Sequence, residues 1–74
     1  MNNMPLDPAA RERALRIADL EAEDRYRRER YALYRAKVYG PRPTSAARLL
    51  ELKLASERAE ARLSRARREV RGSR

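Results

Sequence analysis

Arginine carries most of the chemistry available to this sequence. Seventeen arginines stand against two lysines, and the formal net charge is +8 over 74 residues. A guanidinium presents a planar fork of donors that fits phosphate or carboxylate oxygens two at a time. Arg11, Arg13 and Arg16 lie near the start of the chain, and Arg62, Arg65, Arg67, Arg68, Arg71 and Arg74 lie near its end. Brought side by side, these segments would make one Arg-rich end, a candidate polyanion-binding site opposed locally only by Asp7, Glu12 and Glu69. Composition tempers this reading. An Arg-over-Lys bias of this size is what a GC-rich bacterial or phage genome produces without selection for charge.

Other chemistry is thin. There is no Cys and no His, hence no disulfide, no thiolate nucleophile, no imidazole base and no thiolate or imidazole metal site. A general base could only be a carboxylate, and two helices form no dry concave site around one. The expectation is a protein that is not an enzyme, with no cofactor, no metal and no small-molecule substrate. Arg25-Tyr26-Arg27-Arg28-Glu29-Arg30-Tyr31 interleaves aromatics with base as a stacking surface might. Glu29 interrupts the run, however, and Tyr31 has a better use in the core. Gly40-Pro41-Arg42-Pro43-Thr44-Ser45 is no phosphate-binding glycine loop, because its two prolines remove donors that such a loop needs.

The elements that must position these residues are helices. Asp7-Pro8 is a start signal: the carboxylate can accept from free first-turn N–H groups, and proline at the first helical position loses a donor that had no partner. No Gly or Pro follows until Gly40-Pro41, where glycine is suited to a left-handed cap and proline stops the helix. Pro43-Thr44-Ser45 supplies hydroxyl caps for a second helix that ends before Gly72. The predicted organisation is a lead-in over 1–7, a helix over 8–39, a turn over 40–44, a helix over 45–71 and a tail over 72–74. At about 1.5 Å per residue the helices are roughly 48 and 40 Å long, and so short a turn makes them antiparallel. Acid-first i,i+4 pairs, Glu12–Arg16, Glu21–Arg25, Glu23–Arg27 and Asp24–Arg28, support the first helix.

The second helix carries a heptad seam of Leu49, Leu52, Ser56, Ala59, Leu63, Ala66 and Val70. The first offers Ala10, Arg13, Ile17, Leu20, Asp24, Arg27, Tyr31, Tyr34 and Val38. Folding about residue 41 or 42 sets Tyr34 against Leu49, Tyr31 against Leu52, Leu20 against Leu63 and Ile17 against Ala66. Asp24 and Arg27 then oppose Ala59 and Ser56, the smallest residues of the partner seam. These two charges are expected to bond to each other, to Ser56 or along their own helix; alternatively they form a register-fixing polar layer of a larger bundle. An acidic waist (Asp19, Glu21, Glu23, Asp24, Glu57, Glu60) separates the Arg-rich end from the turn.

Each helix also has a second apolar stripe roughly opposite its seam: Leu15, Ala22, Tyr26 and Leu33 on the first, and Ala47, Leu50, Leu54 and Ala61 on the second. A lone two-helix hairpin has no internal use for them and buries too little to offset ordering its chain. Leu15, Tyr26, Leu33, Leu50 and Leu54 are therefore the candidate partner interface, in an all-α antiparallel hairpin that assembles into a larger helical bundle or docks on a larger complex. The leading expectation is a small basic interaction or assembly protein whose Arg-rich end contacts a polyanion. The alternative is a dimeric nucleic-acid-binding regulator that reads mostly phosphate on DNA or RNA. No stretch approaches the about 18–20 apolar residues of a membrane span. Membrane-surface binding is not expected either, because acids are dispersed around the first helix and the apolar faces are thin. The N-terminus lacks the basic-then-apolar layout of a signal peptide, so the expected setting is the cytoplasm or a nucleoprotein or viral assembly.

Overall fold

The computed structural model describes residues 7–72; residues 1–6 of the expected lead-in, and Ser73 and Arg74 of the expected tail, lie outside them. Two helices, α1 (Pro8–Val38) and α2 (Ala46–Gly72), pack against each other as an antiparallel all-α hairpin. Their starts follow the sequence closely. Asp7 Oδ1 accepts from the Ala10 N–H at 2.8 Å, with Pro8 in the first turn. Ser45 Oγ accepts from the Arg48 N–H at 3.1 Å and so caps α2 from just outside it.

The end of α1 departs from the expectation. No described glycine takes a positive φ, so Gly40 makes no left-handed cap. Tyr39 instead leaves the helix at φ −92°, ψ 1°, and the last turn tightens: Tyr39 N–H reaches Ala36 O at 3.3 Å and Gly40 N–H reaches Lys37 O at 2.9 Å. Glycine serves this turn by its smallness, since a Cβ at Gly40 would stand 3.3 Å from the Lys37 carbonyl oxygen. Gly72 belongs to α2 rather than lying beyond it. The connection is tied down by the Ser45 N–H, which donates to the Tyr34 hydroxyl at 2.8 Å.

Two helices side by side make a slab of 58 × 25 × 14 Å, with two flat faces and two long edges. Its core is small: Leu52, Ala59, Leu63 and Ala66 are buried, and Ile17, Leu20, Tyr31, Tyr34 and Leu49 are half-buried beside them. Val38 and Val70, expected in the seam, are each 41% exposed. In the seam register their opposite numbers are Ser45 and Arg13, neither of which covers an apolar side chain. The seam therefore frays at both ends.

The charged centre of the seam pairs differently from the simplest expectation. Asp24 is buried at 5% exposure, and its Oδ2 accepts from Arg28 Nη2 at 2.6 Å, one helical turn on. Arg27 does not bond Asp24 or Ser56; its Nε lies 3.9 Å from Glu23. Asp24 Oδ1 is buried without any hydrogen-bond partner. Glu12 and Arg16 do not pair, and neither do Glu21 and Arg25, because Glu21 turns across the hairpin to Arg67 instead.

Candidate functional site

Periodicity places two kinds of surface on this slab. At about 100° per residue, Leu15, Tyr26 and Leu33 fall on the side of α1 away from the seam, and Leu50 and Leu54 on the corresponding side of α2. All five remain between 39% and 64% exposed. Leu50 and Leu54 form one strip on the α2 edge; Leu15, Tyr26 and Leu33 form another toward the α1 edge, where Tyr26 and Leu33 also line a groove with Tyr34, Lys37, Arg48 and Leu52. Tyr26 is partly occupied within its own helix. The Arg27 and Arg30 guanidinium carbons lie 5.5 and 5.7 Å from its ring centroid, and Arg30 Nη1 donates to its hydroxyl at 3.0 Å.

The Arg-rich end is assembled by the antiparallel fold, but two of its expected members are engaged. Arg62 Nη2 donates to Glu23 Oε1 at 2.8 Å, and Arg67 Nη2 donates to Glu21 Oε2 at 2.8 Å. These cross-helix bonds draw on the acidic waist and clip α2 to α1. Arg11, Arg13, Arg16, Arg65, Arg68 and Arg71 are exposed, and no carboxylate among the described residues lies within ion-pairing distance of them. They do not share one face. Arg67, Arg68 and Arg71 line a groove with Ile17, Ser64 and Val70. Arg13 and Arg16 line another with Ile17, Ala66, Glu69 and Val70. Glu69 in the second groove is an anion that works against polyanion binding; the first has no carboxylate in its lining.

Sequence reasoning missed how far this basic surface extends. Arg67 also lines a groove at the waist, with Glu21, Asp24, Arg25, Arg28 and Leu63. Arg28 in turn lines a third, with Tyr31, Ala32, Arg35, Ala36 and Tyr39 near the turn. The positions 25, 28, 32, 35 and 39 recur at three- and four-residue steps along α1, so the stripe was present in the helical period. Reading residues 25–31 as a linear motif hid it.

Fold and surfaces together define an antiparallel two-helix hairpin with apolar outer edges and a basic end. Comparison with family models, curated proteins and solved structures gave no match. No described helix is long and apolar enough to cross a membrane.

Proposed function

We propose that the protein is a small, non-enzymatic assembly protein: a helical hairpin that self-associates, or docks on a larger complex, through its outer edges, and contacts a polyanion with its Arg-rich end. One observation carries the reading. Among the described residues the core holds only Leu52, Ala59, Leu63 and Ala66, whereas five large apolar side chains (Leu15, Tyr26, Leu33, Leu50, Leu54) stand outside it. A chain that buries so little of its apolar surface internally gains most by sharing the remainder, and binding that occurs only in the folded state stabilises the fold by mass action.

Size-exclusion chromatography with light scattering tests it. The wild type should elute as an oligomer, and Leu50→Glu with Leu54→Glu should reduce it to no more than a pair joined through the α1 edge, with a lower melting temperature. A wild-type monomer with full helicity and a sharp thermal transition at micromolar concentration would overturn the reading. The second reading, a nucleic-acid-binding regulator whose dimer serves to present the arginines, is favoured by the six unpaired guanidinium groups. Under it, replacing Arg65, Arg67, Arg68 and Arg71 by Ala abolishes function while the oligomer persists.

A further inference from the structure

Three of the grooves described above, at the open end, the waist and the turn, form one track. Arg67 joins the groove at the open end to the waist groove, and Arg28 joins the waist groove to the one beside the turn. The track runs along a single flat face, because Glu21, Arg25, Arg28 and Arg35 all fall on the same flank of α1 and Arg67 and Arg71 on the same flank of α2. From Ile17 to Tyr39 it spans roughly 33 Å at about 1.5 Å per residue. Of the carboxylates on this face, Glu21 and Asp24 are matched by Arg67 and Arg28, and Glu60 falls on the same flank of α2 as Arg67 and Arg71. That leaves Arg25, Arg35, Arg68 and Arg71 without a carboxylate partner among the described residues. At the turn end stands Tyr39, 84% exposed, with its backbone held by the tightened last turn of α1.

We infer that this face binds single-stranded nucleic acid, with backbone phosphates along Arg68, Arg71, Arg25 and Arg35 and a base stacked on Tyr39. The inference rests on the polyanion part of the proposed function and gives it a ligand class. A row of guanidinium groups ending at an open aromatic ring is the combination that holds single strands without regard to sequence: cations follow the backbone and the ring meets a base face. A duplex has no accessible base faces along its length, and a polyanion without rings, such as polyglutamate, has no flat π-system to match the tyrosine. The other flat face lacks the combination. Its open-end groove contains Glu69, shares no lining residue with the groove nearer the turn, and meets there a Tyr26 ring already covered by Arg27 and Arg30. In the proposed assembly the outer edges are covered, and the track, apart from Arg68 at its rim in line with Leu50, stays open.

Fluorescence anisotropy on the full chain tests this, with labelled oligothymidylate and oligouridylate of about 15 nucleotides, the same length of duplex DNA, and polyglutamate. Single strands should bind at about 50 mM salt, tighter than duplex or polyglutamate, with a log–log salt slope of about −3 for four phosphate contacts. Tyr39→Ala should weaken single-strand binding about 10-fold and leave duplex binding unchanged, and Tyr39→Phe should retain wild-type affinity. Arg68→Ala and Arg71→Ala should each flatten the slope by about 0.7. Equal affinity of oligothymidylate and oligouridylate supports a site that reads phosphate and base face; a preference for oligouridylate supports the same site with an added 2′-hydroxyl contact. If duplex or polyglutamate binds as well as the single strands and Tyr39→Ala changes nothing, the single-strand inference fails while the polyanion reading stands. If no polyanion binds at about 50 mM salt, both fail.

Discussion

Replacing Asp24 with leucine should make this protein more stable. The carboxylate is buried at 5% exposure, and one of its oxygens has no partner. An unsatisfied buried acceptor costs about 1–3 kcal/mol. The other oxygen bonds Arg28, whose side chain is 63% exposed, and a partner that exposed returns no more than about 1 kcal/mol. Leucine removes both terms and adds apolar surface at a point where the opposing seam residue, in the sequence register, is only Ala59. The balance favours the variant by about 1–2 kcal/mol, which in a domain of this size raises the melting temperature by roughly 5–15 °C. Asp24→Asn is the control. It keeps the shape, leaves a polar atom unmatched and gives up the charge that Arg28 binds, so it should melt no higher than wild type. Thermal and urea unfolding followed by helical circular dichroism would measure both, at one fixed protein concentration because self-association adds its own stabilisation. A leucine variant that melts at or below wild type, with the asparagine variant unchanged, would refute the reasoning and mean that the carboxylate is fully compensated.

Two further outcomes follow from the same geometry. Leu63→Ala removes one of the four buried apolar side chains and should cost about 2–4 kcal/mol; in so small a core this appears as a broad, early thermal transition by circular dichroism. Glu21→Gln releases Arg67 into the basic track, whereas Glu23→Gln releases Arg62 on the opposite flank. Each should lower stability by less than about 1 kcal/mol, since both cross-helix pairs are solvent-accessible. Only Glu21→Gln should steepen the salt dependence of single-strand binding, by about 0.7 in slope, as read by anisotropy at several salt concentrations.

The hairpin was readable in the chain because local and global signals agree. Asp7-Pro8, Gly40-Pro41 and Ser45 mark the ends, and the 3-4 spacing from Leu49 to Ala66 marks the face. What escaped the sequence was decided across the helices. Glu21 has Arg25 one turn away in its own helix, yet it bonds Arg67; a linear reading ranks the local pair first because it cannot weigh a partner whose position depends on the register. The same holds for the polyanion site. Arg62 and Arg67 look like spare charge until Glu23 and Glu21 are set beside them. At the waist the stripe becomes a groove only when α2 supplies Leu63 and Arg67 on its other side, whereas from Arg28 to Tyr39 the lining comes from the first helix and its cap alone. Val38 and Val70 fit the heptad, but the spacing of one helix cannot show that no large apolar side chain stands opposite.

If the outer edges are the assembly surfaces proposed above, their opposite orientation gives the molecule a valence of two. A surface hairpin with a single sticky side would stop at a pair. Here, covering the α1 edge leaves the α2 edge as accessible as before. Copies joined like to like leave a fresh edge at each rim, and copies joined α1 to α2 repeat until the turn per step closes a ring or the chain runs on as a fibre. Size is then set by the rotation between neighbours rather than by the strength of either strip. A molecule with Leu50 and Leu54 both changed to Glu would keep one working edge. Mixed with wild type, it would act as a chain terminator and shorten assemblies in proportion to its share.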